Sequence, residues 1–280
     1  MIRKIKVLLP VFFIVFVTNC ASQTNEPKSP ADSTALPGYQ LVWSDEFNGN
    51  GLPDSTKWSY DVAAPGWVNN EAQAYTNMRQ ENARVENGKL IIEARLDNFQ
   101  NNPYSSARLV TKYHGDWTYG RFEIRAKLPY GKGTWPAIWM LPTVWNLGNG
   151  GWPDNGEIDI MEHVGYDQGV IHGSTHSNMY VWTKGTQKTA TTKIPDCSTA
   201  FHTYAMEWDK DSIKMFVDNS LYFTTVNEGK GWQYWPFFKN FHLILNLAIG
   251  GTWGGAQGID NSIFPQRMEV EYVRVYKKVN

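Results

Sequence analysis

From Tyr39 to the C-terminus the chain alternates apolar and polar residues with a period of two, and no stretch of ten or more residues carries the spacing of an amphipathic helix. Only strands put successive side chains on opposite faces, so the pattern confines this part of the chain to β-architectures. In Gly120 to Leu128, Phe122, Ile124, Ala126 and Leu128 share one face, and Arg121, Glu123, Arg125 and Lys127 share the other. His202 to Trp208 sets His202, Tyr204, Met206 and Trp208 against Thr203, Ala205 and Glu207. Ser212 to Thr225 reads as a hairpin turning at Asp218-Asn219, and Asn87-Gly88 marks another turn. The expected fold is an all-β sandwich of many short antiparallel strands, whose concave face is the natural place for a cleft. With 42% hydrophobic residues, 14% aromatics and only 19% charged residues, the 280-residue chain is neither disordered, collagen-like nor a coiled coil. A net charge of -1 leaves no basic footprint for nucleic acid.

The N-terminus follows different rules. Arg3, Lys4 and Lys6 precede an apolar run, Val7 to Val17, whose eleven residues are too few to span a bilayer. Val17-Thr18-Asn19-Cys20-Ala21 resembles a bacterial lipobox, so residues 1–19 read as a lipoprotein signal peptide and Cys20 as the lipidated first residue. Its removal takes three basic residues and moves the net charge from -1 to -4. Residues 20–37, without an aromatic and rich in Ser, Thr and Pro, read as a flexible tether. Residues 38–280 show no second linker or internal repeat and read as one domain, expected to be monomeric. Cys197 is the one remaining thiol, which rules out an intramolecular disulfide.

Glu157-Ile158-Asp159-Ile160-Met161-Glu162 places three carboxylates within six residues of a strand-like run. In a regular strand Glu157 and Asp159 share a face, whereas Glu162 would point into the core with Ile158 and Ile160. An unpaired buried carboxylate is strongly destabilising. One extra residue absorbed as a β-bulge, at Ile160 or Met161, returns Glu162 to the face of the other two. The two Glu Cα atoms then lie roughly 13 Å apart along the strand, and side chains leaning inward bring the carboxyls to roughly 5 to 6 Å. That separation suits a retaining glycosidase and is too short for the water an inverting enzyme needs. One Glu would attack the anomeric carbon, the other would serve as acid and then base, and Asp159 would raise a neighbour's pKa or share its proton. A solvated acidic face or a cation site is the bland alternative.

EIDIME, with GRFEIRAKLP and GTWPAIWMLP before it and LNLAIGGTWGG after it, resembles glycoside hydrolase family 16, and most of all its bacterial laminarinases. WSDEFNG, NNEAQAYT and VEYVRVY carry the likeness from about Tyr39 to Tyr276. The resemblance implies a concanavalin-like β-jelly roll of two antiparallel sheets, with Glu157 as nucleophile, Glu162 as acid/base, Asp159 as assisting carboxylate and Met161 as the additional residue of the bulge. It further implies that Trp135, Trp139 and Trp253 line the sugar cleft, with Asn70, Arg108, His176 and Asn246 facing substrate. A structural Ca²⁺ would be held by Glu46, the Gly88 carbonyl and Glu271, where a longer Glu stands in place of the family's Asp.

Pyranose rings stack on aromatic faces, which agrees with Trp at the cleft. Trp43, Trp58 and Trp208 read equally well as core. His172 and His176 lie four apart on a strand with no third ligand in view, which argues against zinc. The expectation is therefore an exported lipoprotein of the outer membrane or cell surface, on either its outer or periplasmic side. It is expected to be an endo-acting β-1,3-glucanase needing no organic cofactor. The alternatives are the same chemistry on mixed-linkage β-glucan or a marine galactan, or a glycan-binding lipoprotein without catalysis.

Overall fold

The computed structural model describes residues 36–279. The signal peptide, Cys20 and all but the last two residues of the tether lie outside the described residues. The chain runs through β1 (Tyr39–Asp45), β2 (Ser59–Tyr60), β3 (Gln73–Tyr75), β4 (Ala83–Glu86), β5 (Lys89–Phe99) and β6 (Asn102–Ser106). It continues through β7 (Arg108–Val110), β8 (Asp116–Trp117), β9 (Gly120–Lys127), β10 (Thr134–Pro142), β11 (Glu157–Glu162) and β12 (Val170–His176). It ends with β13 (Lys188–Lys193), β14 (His202–Trp208), β15 (Ser212–Val217), β16 (Ser220–Val226), β17 (Phe241–Ile249) and β18 (Gln266–Lys278). The described residues contain no α-helix, only two 3₁₀ turns of three residues each.

A ten-stranded sheet runs in the order β16-β15-β14-β9-β18-β5-β6-β3, with β1 beside β18 and β4 beside β5. An eight-stranded sheet runs β13-β12-β11-β10-β17-β7-β2, with β8 beside β17. The two stack into a jelly-roll sandwich. One pairing departs from the all-antiparallel expectation: β3 and β6 are parallel, Gln73 opposite Tyr104. Nothing in so short a run as Gln73–Tyr75 announces strand direction.

The alternation works as read. Phe122, Ile124 and Ala126 are fully buried in the core, and so are Tyr204, Met206 and Trp208 on the neighbouring β14. The positive φ angles of Asp218 (47°) and Asn219 (67°) close the β15–β16 hairpin, as those of Asn87 (53°) and Gly88 (70°) close β4–β5, a conformation that Asn, Asp and Gly tolerate best. Trp58 and Trp208 are core, and Trp43 packs edge-on against Trp58 and Trp117. Cys197 is a free thiol buried in the same core.

The strand alternation positions the site. In the middle of the eight-stranded sheet, Leu243, Leu245, Leu247 and Ile249 of β17 and Ile138 and Met140 of β10 face inward. The intervening residues, Asn246 and Ala248 on β17 and Trp135, Ala137 and Trp139 on β10, therefore face away from the core.

Candidate active site

β11 carries the three carboxylates, and its register is broken where the cost argument requires it. Against β12, Asp159 is opposite Ser174 and Glu162 opposite His172, three steps against two. Against β10, Met161 is opposite Ile138 and Asp159 opposite Trp139, so Ile160 is the residue passed over. The bulge thus falls within the Ile160–Met161 pair that the cost argument named. Ile158, Ile160 and Met161 are all fully buried in the core, which leaves Glu157, Asp159 and Glu162 on the outer face. The Ile160 carbonyl accepts from the Tyr222 hydroxyl at 2.8 Å, so a side chain from β16 of the opposite sheet satisfies the bulge from below.

Each glutamate accepts an indole N–H. Trp135 Nε1 donates to Glu162 Oε1 at 3.0 Å, and Trp152 Nε1, from the β10–β11 loop, donates to Glu157 Oε2 at 3.0 Å. Asp159 lies between them, and its Oδ2 has no hydrogen-bond partner although His176 Nε2 stands 3.4 Å away. His176 Nε2 is 3.9 Å from Glu157 Oε1. Burial pushes all three carboxyls up, each to about 8, and the charge of Asp159 adds to the rise at both glutamates. The indole donors and His176 oppose that rise at Glu157 and Glu162. A cluster of this kind holds at least one proton at neutral pH, so one carboxyl can act as an acid while another stays ionised.

Trp139 donates through Nε1 to Asn246 Oδ1 at 2.7 Å. Asn246 Nδ2 donates to the Tyr75 hydroxyl, which donates to Glu71 Oε2, each at 3.0 Å. Gln73 Nε2 also donates to that oxygen, at 2.8 Å. Glu71 is therefore a fourth, well-satisfied carboxylate near the site, and its charge adds slightly to the rise at Glu162. Arg108 on β7 is buried, paired with Asp61 at 2.9 Å and held between the rings of Trp139 (4.6 Å) and Trp67 (4.9 Å). Trp67 is 51% exposed and offers an open aromatic face.

The residues expected around the carboxylates thus come together, with different tasks in part. Trp135 is only 9% exposed, covered edge-on by Trp253 at 5.4 Å, and serves Glu162 as a donor rather than presenting an open sugar platform. Trp253 is half-buried and stands edge-on to His172 at 4.9 Å. Asn70 is exposed with φ 54°, next to Glu71, which bridges to Gly250 and so ties this turn to the glycine-rich loop of Trp253. Sequence reasoning missed Trp152, Glu71, Tyr75, Trp67 and Tyr222. Glu71 and Tyr75 had a signal, since both lie within NNEAQAYT.

The carboxylates expected to hold calcium are engaged by arginines. Both Glu46 oxygens accept from Arg274, Nε and Nη2 each at 2.8 Å, and Glu271 Oε2 accepts from Arg125 Nε at 2.7 Å. Gly88 occupies the β4–β5 turn. A calcium ion here would compete with Arg274 for the Glu46 carboxylate and with Arg125 for Glu271 Oε2. Conversely, His176 does have further candidate ligands: Glu157, Asp159 and His176 offer atoms within 4.8 Å of one another, the one such group among the described residues. Those ligands are the cluster carboxylates themselves.

A cavity of about 350 Å³ lined by Tyr119, Trp232 and Phe238 among others contains none of Glu157, Asp159 and Glu162.

The sequence profile of Glycosyl hydrolases family 16 matches residues 70–274. A beta-glucanase of Rhodothermus marinus is 54% identical over 252 residues, covering 88% of each chain. A glucan endo-1,3-beta-glucosidase of Cryptopygus antarcticus is 41% identical, covering 84% of this chain and 91% of its own. The X-ray structure of the laminarinase from Rhodothermus marinus superimposes with a TM-score of 0.86 at 54% identity, covering 88% of this chain and all of that one.

Proposed function

The chain belongs to glycosyl hydrolases family 16, and on that premise we propose that it cleaves β-1,3-glucan internally, with retention of configuration, using Glu157 and Glu162. The observation that carries the reading is the bulge in β11, which sets three carboxylates on one open face and leaves the apolar residues between them in the core. A buried charge triplet with so few counter-ions is costly, and such a cost is sustained where chemistry needs it.

Glu157 is assigned as nucleophile, Glu162 as acid/base. In the first step a Glu157 oxygen bonds to the anomeric carbon while the glycosidic C–O bond breaks, and the Glu162 proton passes to the departing oxygen. In the second, Glu162 takes a proton from water, whose oxygen displaces Glu157 from the same carbon. Asp159 keeps a proton within the cluster by raising both neighbours. The step needs no organic cofactor, and none is routed through calcium. Trp139, with its ring fixed by Asn246, and Trp67 supply faces for glucose rings, with Trp253, Asn70 and His176 at the rim.

The glucan endo-1,3-beta-glucosidase among the relatives supports the β-1,3 linkage, but another relative is simply a beta-glucanase, so mixed-linkage glucan stands as the second substrate to test. The proposed setting is that of an exported, monomeric lipoprotein tethered through Cys20, resting on the lipobox-like sequence alone. Soluble protein from Pro37 onward is expected to release short and intermediate oligosaccharides from laminarin from the earliest times. Release of glucose alone would overturn the endo mode. No cleavage of laminarin beside cleavage of mixed-linkage glucan would overturn the linkage.

A further inference from the structure

The β10–β11 loop is built with more care than a surface connection needs. Asn155, fully buried, accepts from Asn146 N (2.9 Å) and Leu147 N (3.0 Å) and donates to the carbonyls of Leu147 (3.2 Å) and Gly151 (3.3 Å). Lys239 Nζ reaches the same Asn155 oxygen at 2.6 Å. Asp154 accepts from Asn149 N at 3.0 Å and from Asn178 Nδ2 at 2.6 Å. Gly148, at φ 54°, packs so tightly that a Cβ there would come within 2.0 Å of Asp154 Oδ2. All this stapling presents one side chain to the site. Trp152 is 37% exposed, lies 5.9 Å from the His176 ring and puts its N–H on Glu157 Oε2 at 3.0 Å.

Resting on the assignment of Glu157 above, we propose that Trp152 is the positioning residue of the nucleophile: its N–H fixes the rotation of the Glu157 carboxylate and occupies Oε2, leaving Oε1 as the attacking oxygen. Glu157 is also faced by Asp159 on its own strand, by Glu162 beyond the bulge and by His176 on β12. Of these four groups, Trp152 is the one that donates a hydrogen bond to it. A donor to a carboxylate favours the ionised form, so its loss moves the acid limb of the kcat/KM profile to higher pH.

The test compares Trp152→Phe, which keeps the ring and removes the donor, in two backgrounds. In the intact enzyme, kcat on laminarin is expected to fall roughly ten- to a hundredfold, with KM within about twofold and the acid limb displaced upward. The second background is Glu157→Gly supplied with azide and an aryl β-laminarioligoside bearing an activated phenol. Azide nitrogen bonds to the anomeric carbon as the phenolate leaves, and the product is the α-glycosyl azide. Because this reaction bypasses the carboxylate, Trp152→Phe should change its rate by no more than about twofold. A loss of the same size in both backgrounds, or a raised KM with unchanged kcat, overturns the proposal and makes Trp152 a sugar-stacking residue. Failure of azide to rescue Glu157→Gly overturns the nucleophile assignment itself, and the proposal with it.

Discussion

Replacing Asp159 with Asn should make the protein more stable at alkaline pH while removing most of its activity. Asp159 is 3% exposed, its Oδ2 lacks a hydrogen-bond partner, and burial pushes its carboxyl from the ordinary 3.8 to about 8. A group whose folded pKa is raised adds stability that is fully present below its unfolded pKa and is lost as pH rises through the folded value. For Asp159 that window runs from about pH 4 to about pH 8. At ~1.4 kcal/mol per unit, the ceiling for an isolated group is about 5 to 6 kcal/mol. Glu157 and Glu162 share the burden, and a buried Asn amide carries its own desolvation cost of ~1–3 kcal/mol, so a net gain of about 2 kcal/mol is expected at pH 8.5. For a domain of this size that corresponds to roughly 4 to 8 °C in melting temperature. The assay is a set of melts of both proteins from pH 4.5 to 8.5 at one scan rate. The gap should be small at pH 4.5 and widen steadily above it. Parallel curves, or a variant that loses ground as pH rises, would refute the claim that this carboxyl is held at a cost to folding.

Three further outcomes follow from single contacts. Tyr222→Phe removes the donor beneath the Ile160 carbonyl, and is expected to cost ~1–3 kcal/mol in a melt and to lower kcat, since the bulge is what turns Glu162 outward. Trp135→Phe takes away the N–H that favours the ionised form of Glu162, so the alkaline limb of the pH–rate profile should move up, read from kcat/KM between pH 5 and 9. Asn246→Ala frees the Trp139 ring and leaves the Tyr75 hydroxyl without the Asn246 amide; KM on laminarin should rise roughly five- to tenfold with little change in kcat.

Much of the architecture was legible because the alternation is local. Phe122, Ile124 and Ala126 announce their face within one strand, and Asp218-Asn219 announces its turn by backbone preference alone. The bulge was legible too, since Glu162 cannot share the core with Ile158. Which residue it passes over was not, because Ile160 and Met161 are equally apolar and only the pairing with β10 separates them. Donor partners were the least legible part. The family resemblance led Trp135 to be expected as a lining of the sugar cleft. What buries it are Trp253 and Val164, a distant loop and a residue beyond the next strand. Trp152 carries no periodic signal, because it sits in a loop whose course is set by Asn155 and Asp154. The arginine partners of the expected calcium ligands were not legible either: Arg274 and Arg125 face Glu46 and Glu271 only through the register of β18 with β1 and β9.

The central claim is that Glu157 and Glu162 act by double displacement on a β-1,3-glucan. Proton NMR of laminarin cleaved by a large amount of enzyme, recorded in the first minutes before mutarotation, tests it most directly. The account predicts that new reducing ends appear first as the β-anomer and then relax toward the α/β equilibrium. Initial appearance of the α-anomer would mean a single displacement by water, and would contradict the nucleophilic role of Glu157.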